Sequence, residues 1–384
     1  MPRFFPIPAA GGQRVSARIR IVSPGTLATI QDQGRFGYRR IGVPQSGVLH
    51  ADLAWVANQL AENSVNTALI EFFFSGPTLH LEEGTVRLAL TGDFSAELIR
   101  DKIKRTLKSW RTVTLEAGDT LQIGPVMSGK ASYIAITGGL KLSPVMGSCS
   151  TYLRGGFGGL DGKKLLPDSI LTVTQKTVES NPDHQLPRLS DLESLGLMQS
   201  ASKVDLPNRI RVIMGPQDDY FTAAARHDFL TGTYKVSRES DRMGSRLEGP
   251  TLVHHPDKKP EIISDGIVPG AIQVPGSGTP IVLLADGPTV GGYPKIATVS
   301  SVDLPRLAVM PPGSQIRFEA ITPEVAEALL LAHRKNLVEL ITTVEPLALT
   351  GIVDIEALYN TCLISGVIDA LTMPTKSDPH ENQQ

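Results

Sequence analysis

The sequence predicts a mainly β protein: two related domains followed by a helical tail. Three observations carry this. Short β-branched runs recur at close intervals, one strand-end pattern occurs twice, and 36 glycines and 28 prolines punctuate the 384 residues. The runs are Thr85–Leu90, Ser132–Ile136, Ile170–Val173, Ile210–Met214 and Pro280–Leu284. In the repeat, the run from Gly84 is followed 34 residues later by one from Gly118, and the run from Gly278 is followed 35 residues later by one from Gly313. Gly-Pro-Thr-Leu also occurs twice, at 76–79 and 249–252. A polar, Pro-containing stretch separates the halves. The expected divisions are a first domain at 17–180, a linker at 181–207, a second domain at 208–320 and a tail at 321–384.

Helices are few. Asp52 is expected to cap Leu53–Leu60, where Leu53, Val56, Ala57 and Leu60 share a face. Thr322-Pro323-Glu324 starts another, with an apolar stripe of Val325, Ala328, Leu329, Ala332, Leu337, Leu340, Ile341 and Val344 ended by Pro346. A short helix is expected from Asp354 through Ile355, Leu358 and Tyr359 towards Leu363, and Pro374–Gln384 is a polar end expected to be disordered. The tail reads either as an arm docked on the β domains or as an arm for a partner.

Composition bounds the function. With 41% hydrophobic and 20% charged residues and a formal charge of −2, this is ordinary globular composition. No concentrated Lys/Arg face points to nucleic acid. No apolar run reaches the ~18 residues of a membrane helix. Met1 to Arg20 lacks a hydrophobic signal core, and Cys149 and Cys362 make no disulfide framework, so a cytoplasmic location is expected.

Several motifs fail on chemistry. Gly124–Lys130 fits a Walker A loop, but Ala131 replaces the required hydroxyl and a strand, not a helix, follows. No Rossmann fingerprint follows a strand. His254-His255 lacks further ligands at zinc spacing, so no metal is expected. The densest polar segment, Ser23–Gly47, holds Gln31, Asp32, Arg35 and Ser46 among five glycines. Such a loop lets backbone approach a ligand, and Arg grips a carboxylate or phosphate bidentately. The alternative is a turn-rich loop with an Asp32–Arg35 ion pair. A second cluster gathers Gln217, Asp218, Asp241, Arg242, Gln273, Tyr293 and Lys295 near successive strand ends.

Taken together, SPGTLATIQDQGRFGYRRIGVPQSG, YIAITGGL with GSCSTYLRGGFGGLDG, GPQDDYFT, SDRMGSRLEGP and SDGIVPGAIQVPGSGTPIVLLADGPTVGGYPKIA resemble the biotin-dependent carboxyltransferase family, which includes allophanate hydrolase subunit 2, KipA-like proteins and the C subunit of 5-oxoprolinase. The resemblance runs from about Ile19 to Ala320 and implies two cyclophilin-like β-barrel domains. It implies a subunit acting beside a KipI-like partner on a small amide or lactam. In one setting the complex includes a LamB/YcsF-like subunit and opens 5-oxoproline to glutamate with ATP. In another the chain is the carboxyltransferase of a urea-type carboxylase, receiving CO₂ from carboxybiotin on a separate carrier. In a third it is a non-enzymatic regulator that binds a KipI-like kinase inhibitor. Homo-oligomers are compatible with barrels that have exposed edges.

Carried onto this chain, the resemblance marks Gln31, Asp32, Arg35, Ser46, Gln217, Asp218, Asp241, Arg242, Gln273 and Gly291–Lys295. Arg35 and the loop amides are expected to hold a carboxylate or phosphate, and Arg242 and Lys295 to stabilise developing negative charge. Asp32 or Asp218 would orient water or a substrate nitrogen. Gln31, Ser46, Gln217, Gln273 and Tyr293 are the expected substrate contacts. Three positions depart from the family pattern: His50 where it often has Asp, Cys149 where it has Arg, and Ser245 where it has Tyr. These departures point to a diverged substrate.

Overall fold

In the first half, alternation along Arg18–Ser23 buries Ile19 and Ile21, while Arg18 and Arg20 face outward to Glu82 and Glu83. The same logic repeated over many strands gives two sheets facing one core. One sheet has six strands, in the order Ile170–Thr172, Arg18–Ser23, Thr78–Glu83, Thr120–Ile123, Ser95–Arg100 and Ile103–Lys108. The other begins Leu27–Gln31, Leu69–Phe73, Ser128–Ile136, Thr85–Asp93 and Arg111–Glu116, and ends with the short pieces His184–Gln185 and Glu345–Pro346. Ile30, Leu79, Leu88, Leu121 and Ile134 lie in the core between them.

The second half closes fully. Its seven strands run, in barrel order, Asn208–Met214, Lys295–Val299, Ala271–Gln273, Ile281–Leu283, Gly244–Glu248, Tyr234–Val236 and Gln315–Ala320. Ile210, Val212, Leu247, Ile272 and Val282 fill it, and Phe229 stacks on Phe318 at 4.5 Å. The mainly β reading holds, and each predicted run overlaps a strand, with Val173, Pro280 and Leu284 just beyond the strand ends.

This computed structural model describes residues 17–174, 183–186, 192–193, 195–198 and 207–347. The chain to Pro346 forms one compact unit; of the second, 347–384, only Leu347 is described. The helix expected from Asp354, the polar end and Cys362 therefore lie outside the described residues. No helix among the described residues is long and apolar enough to cross a membrane.

Helix α1 spans Ala51–Leu60, but its cap is His50, not Asp52: the His50 Nδ1 accepts from Leu53 N at 3.4 Å. Asp52 sits inside the first turn and pairs instead with His333. Helix α2 spans Ala223–Thr231 and α3 spans Leu304–Ala308. Helix α4 spans Pro323–Ile341 and starts as the sequence predicts, with Thr322 Oγ1 accepting from Val325 N. Its stripe docks only at one end. Leu337 and Leu340 are buried in a cluster with Leu53, Ala57, Leu60 and Tyr133, whereas Val325 and Leu331 stay exposed. The stretch read as a linker contributes Leu186, Leu192 and Leu197 to that same cluster.

Candidate functional site

Strand Leu27–Gln31 delivers the glycine-rich loop to the junction between the two halves. Gly34 and Gly47 have φ of +97° and +91°, and a Cβ on either would sit within 3.0 Å of the facing strand of the loop. The close return brings Ser46 against the barrel, where its N–H donates to the Ala285 carbonyl at 3.0 Å.

Asp32 organises this loop. Its Oδ1 accepts from Gly34 N at 2.8 Å, Ser148 Oγ at 2.6 Å and Ser150 Oγ at 2.5 Å, and its Oδ2 accepts from Cys149 N at 2.5 Å. Arg35 is wholly buried. Its donors go to the carbonyls of Val145 and Ser150, its cation lies 4.8 Å from the Phe157 ring, and Nη1 has no partner among the described residues. The ion pair with Asp32 is therefore not made. Burial lowers the Arg35 pKa, with Asp32 and Asp286 acting in opposition. Burial and then Asp32 raise that of the Cys149 thiol. Gln31 is buried, donating to Thr29 Oγ1 at 3.0 Å and the Thr151 carbonyl at 3.2 Å, with Oε1 unpaired among the described residues. Ser46 adopts a left-handed φ of +56°, and its buried hydroxyl likewise has no partner there. Non-glycine residues in that region store strain, and such strain concentrates at ligand sites.

Beside this loop lies an ion cluster across the junction. Arg242 Nη1 donates to Glu71 Oε1, Nε to Asp286 Oδ2 at 2.8 Å, and Nη2 to the Gly47 carbonyl at 2.5 Å. Burial works against its charge, yet Asp286 and Glu71 together raise its pKa. The other Glu71 oxygen accepts from Leu49 N and from Tyr133 OH, each at 2.8 Å. Burial, then Glu71, raises the Tyr133 pKa well above its usual range. Lys130 from the rejected Walker-like motif is also buried, on strand Ser128–Ile136. Burial pulls its pKa down to about 8 against the pull of Asp241 and Glu71.

A second group gathers at the barrel. Lys295 is buried and its Nζ donates to Asp265 Oδ2 at 2.8 Å, which helps hold the Asp265 carboxyl below its usual range. Lys295 N donates to Gln217 Oε1 at 3.1 Å, and Gln273 Nε2 points to the Tyr293 carbonyl at 3.5 Å. The Arg39 guanidinium reaches across from the glycine-rich loop to the Ile267 carbonyl, two residues from Asp265. Asp218 stands apart, paired with Arg226 at 3.8 Å on a partly exposed turn. Asp241 is exposed and binds the amides of Met243 and Gly244. His254 and His255 go to separate partners, the Val274 carbonyl and Asp257.

The structure thus unites Gln31, Asp32, Arg35 and Ser46 with Arg242, and separately Gln217, Gln273, Tyr293 and Lys295. Sequence reasoning gave no role to Glu71 or Tyr133, and it passed through Lys130, Asp265 and Asp286 in their motifs without assigning them one. One signal was present: Glu71 is a lone carboxylate in the apolar strand Leu69-Ile70-Glu71-Phe72-Phe73, and such a charge needs a buried counter-charge.

Known proteins share this arrangement of elements. The family description of the carboxyltransferase domain, subdomains A and B, matches residues 41–320. The C subunit of the Escherichia coli strain K12 5-oxoprolinase is 34% identical over 308 residues, which are 80% of this chain and 93% of that protein. Its Haemophilus influenzae counterpart is 33% identical, covering 83% and 95%. The urea amidolyase of Lachancea kluyveri is 30% identical over 80% of this chain, but the match is only 17% of that longer protein. Among solved structures, the K. lactis urea amidolyase superposes with a TM-score of 0.72 at 26% identity, over 86% of this chain and 20% of that one. TTHA0988 superposes at 0.66 and 30% identity, over 79% and 56%.

Proposed function

This chain belongs to the family of the carboxyltransferase domain, subdomains A and B, and from that membership we propose that it is a subunit of an ATP-linked enzyme opening 5-oxoproline to glutamate. It works beside a KipI-like subunit and a LamB/YcsF-like subunit, and ATP acts at the assembled complex. The near-full-length match to the C subunits of two 5-oxoprolinases supports this reading over others. In the geometry, one observation supports it: Arg35 is a buried guanidinium with no carboxylate bonded to it, and its Nη1 has no hydrogen-bond partner among the described residues. A buried, unpaired donor is costly to leave empty, and a substrate oxygen in its place removes that cost.

The remaining roles follow from which donors and acceptors are free. Asp32 already accepts four hydrogen bonds, so it positions the loop at Ser148–Ser150 and is not the base. Arg242 has its donors committed to Glu71, Asp286 and Gly47, so it holds the halves together beside the site. Arg35 and the Ser46 hydroxyl take substrate oxygen. Lys295, paired with exposed Asp265, is the cation at the barrel, with Gln217, Gln273 and Tyr293 around it. Asp218, next to Gln217, faces Arg226 at 3.8 Å on a partly exposed turn.

The likeness to urea amidolyases favours a second reading, the transferase half of a urea-type carboxylase fed by carboxybiotin on a separate carrier. One assay separates the two. Phosphate release from ATP is measured with the chain and its partners, with 5-oxoproline or urea, and with avidin as control. Stimulation by 5-oxoproline that ignores avidin supports the first reading. Urea stimulation abolished by avidin replaces it with the second. No stimulation by either removes both and leaves a diverged substrate or the regulator of a KipI-like inhibitor.

A further inference from the structure

Helix α4 lies past residue 320, where the family match ends, yet it touches the element on which the candidate site is hung. His333 Nε2 meets Asp52 Oδ2 at 2.9 Å, with both side chains largely buried. One turn further on, Leu337 and Leu340 pack into the apolar cluster that contains α1 and Tyr133. From α1 the contacts run to the site without a gap. The His50 amide, at the N-cap, donates to Tyr133 OH at 2.8 Å, and Tyr133 OH donates to Glu71 at 2.8 Å. Glu71 then takes Leu49 N and Arg242, and Arg242 grips the Gly47 carbonyl, one residue from Ser46.

We infer that α4 is a brace and that His333, acting through Asp52 and the start of α1, is a positioning residue for the segment Ser46–His50. This rests on the proposed site only in placing Ser46 within it; the mechanical claim stands without any substrate. The first turn of a helix has few hydrogen bonds of its own, so an anchor there has leverage. The cap here is a weak 3.4 Å contact from an imidazole, which leaves more of the anchoring to Asp52 and His333. The Leu337 and Leu340 contacts bring α4 to this place, and the imidazole fixes its register against α1.

Hydrogen exchange read by mass spectrometry on the full chain tests this directly. His333→Ala should raise exchange of the amides over 47–54 about fivefold, the loss expected for one partly buried hydrogen bond. His333→Gln, which keeps a donor, should restore much of the protection. Lys335→Ala, on the exposed side of the same helix, should change nothing. In the reconstituted complex, His333→Ala should lower kcat several-fold with KM nearly unchanged. Unchanged exchange over 47–54 in His333→Ala overturns the brace. Raised exchange with full kcat overturns the link to the site while leaving the brace. Because exchange needs no substrate, a wrong choice of reaction does not affect the first outcome.

Discussion

Arg35 and Arg242 flank the same glycine-rich loop and do opposite things with the same side chain. Arg35 keeps a buried nitrogen without a partner among the described residues, so Arg35→Ala should lower 5-oxoproline-dependent phosphate release about 10²-fold. Arg35→Lys should not rescue it, because an ammonium cannot reproduce the fork that spans two carbonyls. Arg242 spends its donors on structure. Arg242→Ala leaves Glu71 and Asp286 buried without their cation, and urea denaturation should show a loss of about 3–5 kcal/mol. Arg246→Ala, an exposed pair at 3.8 Å, should cost under about 0.5 kcal/mol. His50 adds a pH dependence. Burial pulls its pKa down from the usual 6.5 to about 4, so the unfolded chain takes up the proton first. Its contribution is complete above about pH 6.5 and fades as pH falls towards 4, by about 3 kcal/mol. Urea titrations at several pH values should show this slope, and His50→Asn, which keeps a cap, should flatten it. Of these residues the sequence revealed Arg35, Arg242 and Asp32 by their motifs. The Glu71 partner was hidden because it lies 171 positions from Arg242.

At the scale of elements, the strands were legible because alternation and β-branching are local properties. Arg18–Ser23 shows why: every second side chain meets the core whatever the rest of the chain does. The start of α4 was equally legible, since Thr322 and Pro323 are a local capping signal. Its burial was not. The stripe is apolar along its whole length, but only a partner surface decides which residues are covered, and α1 reaches just the last turns. Leu340→Ala should therefore cost about 2–4 kcal/mol, whereas Val325→Ala, on the exposed end, should be nearly neutral in the same denaturation assay. The cap of α1 was misassigned for a related reason. Asp52 is the better capping residue by type, but His333 claims its carboxylate, and the imidazole of His50 takes the role that remains.

For the molecule as a whole, the sequence showed two β halves but not how they are joined. The 181–207 stretch reads as a connector because it is polar and carries Pro182, Pro187 and Pro207, yet Leu186, Leu192 and Leu197 find a cluster shared with α1 and the end of α4. The halves also share buried charge through Arg242 and backbone through Ser46 and Ala285. Calorimetry should accordingly show one cooperative transition, and Arg242→Ala should split or broaden it. The shared cluster also limits how such chains can be recombined. Glu71 arrives with the first half, and Arg242 with Asp286 arrives with the second. A hybrid of two relatives spliced between the halves keeps its seam only if both parents place the carboxylate and the guanidinium alike. Where they differ, the hybrid carries a stranded charge at its centre, and its halves are interchangeable in shape but not in electrostatics.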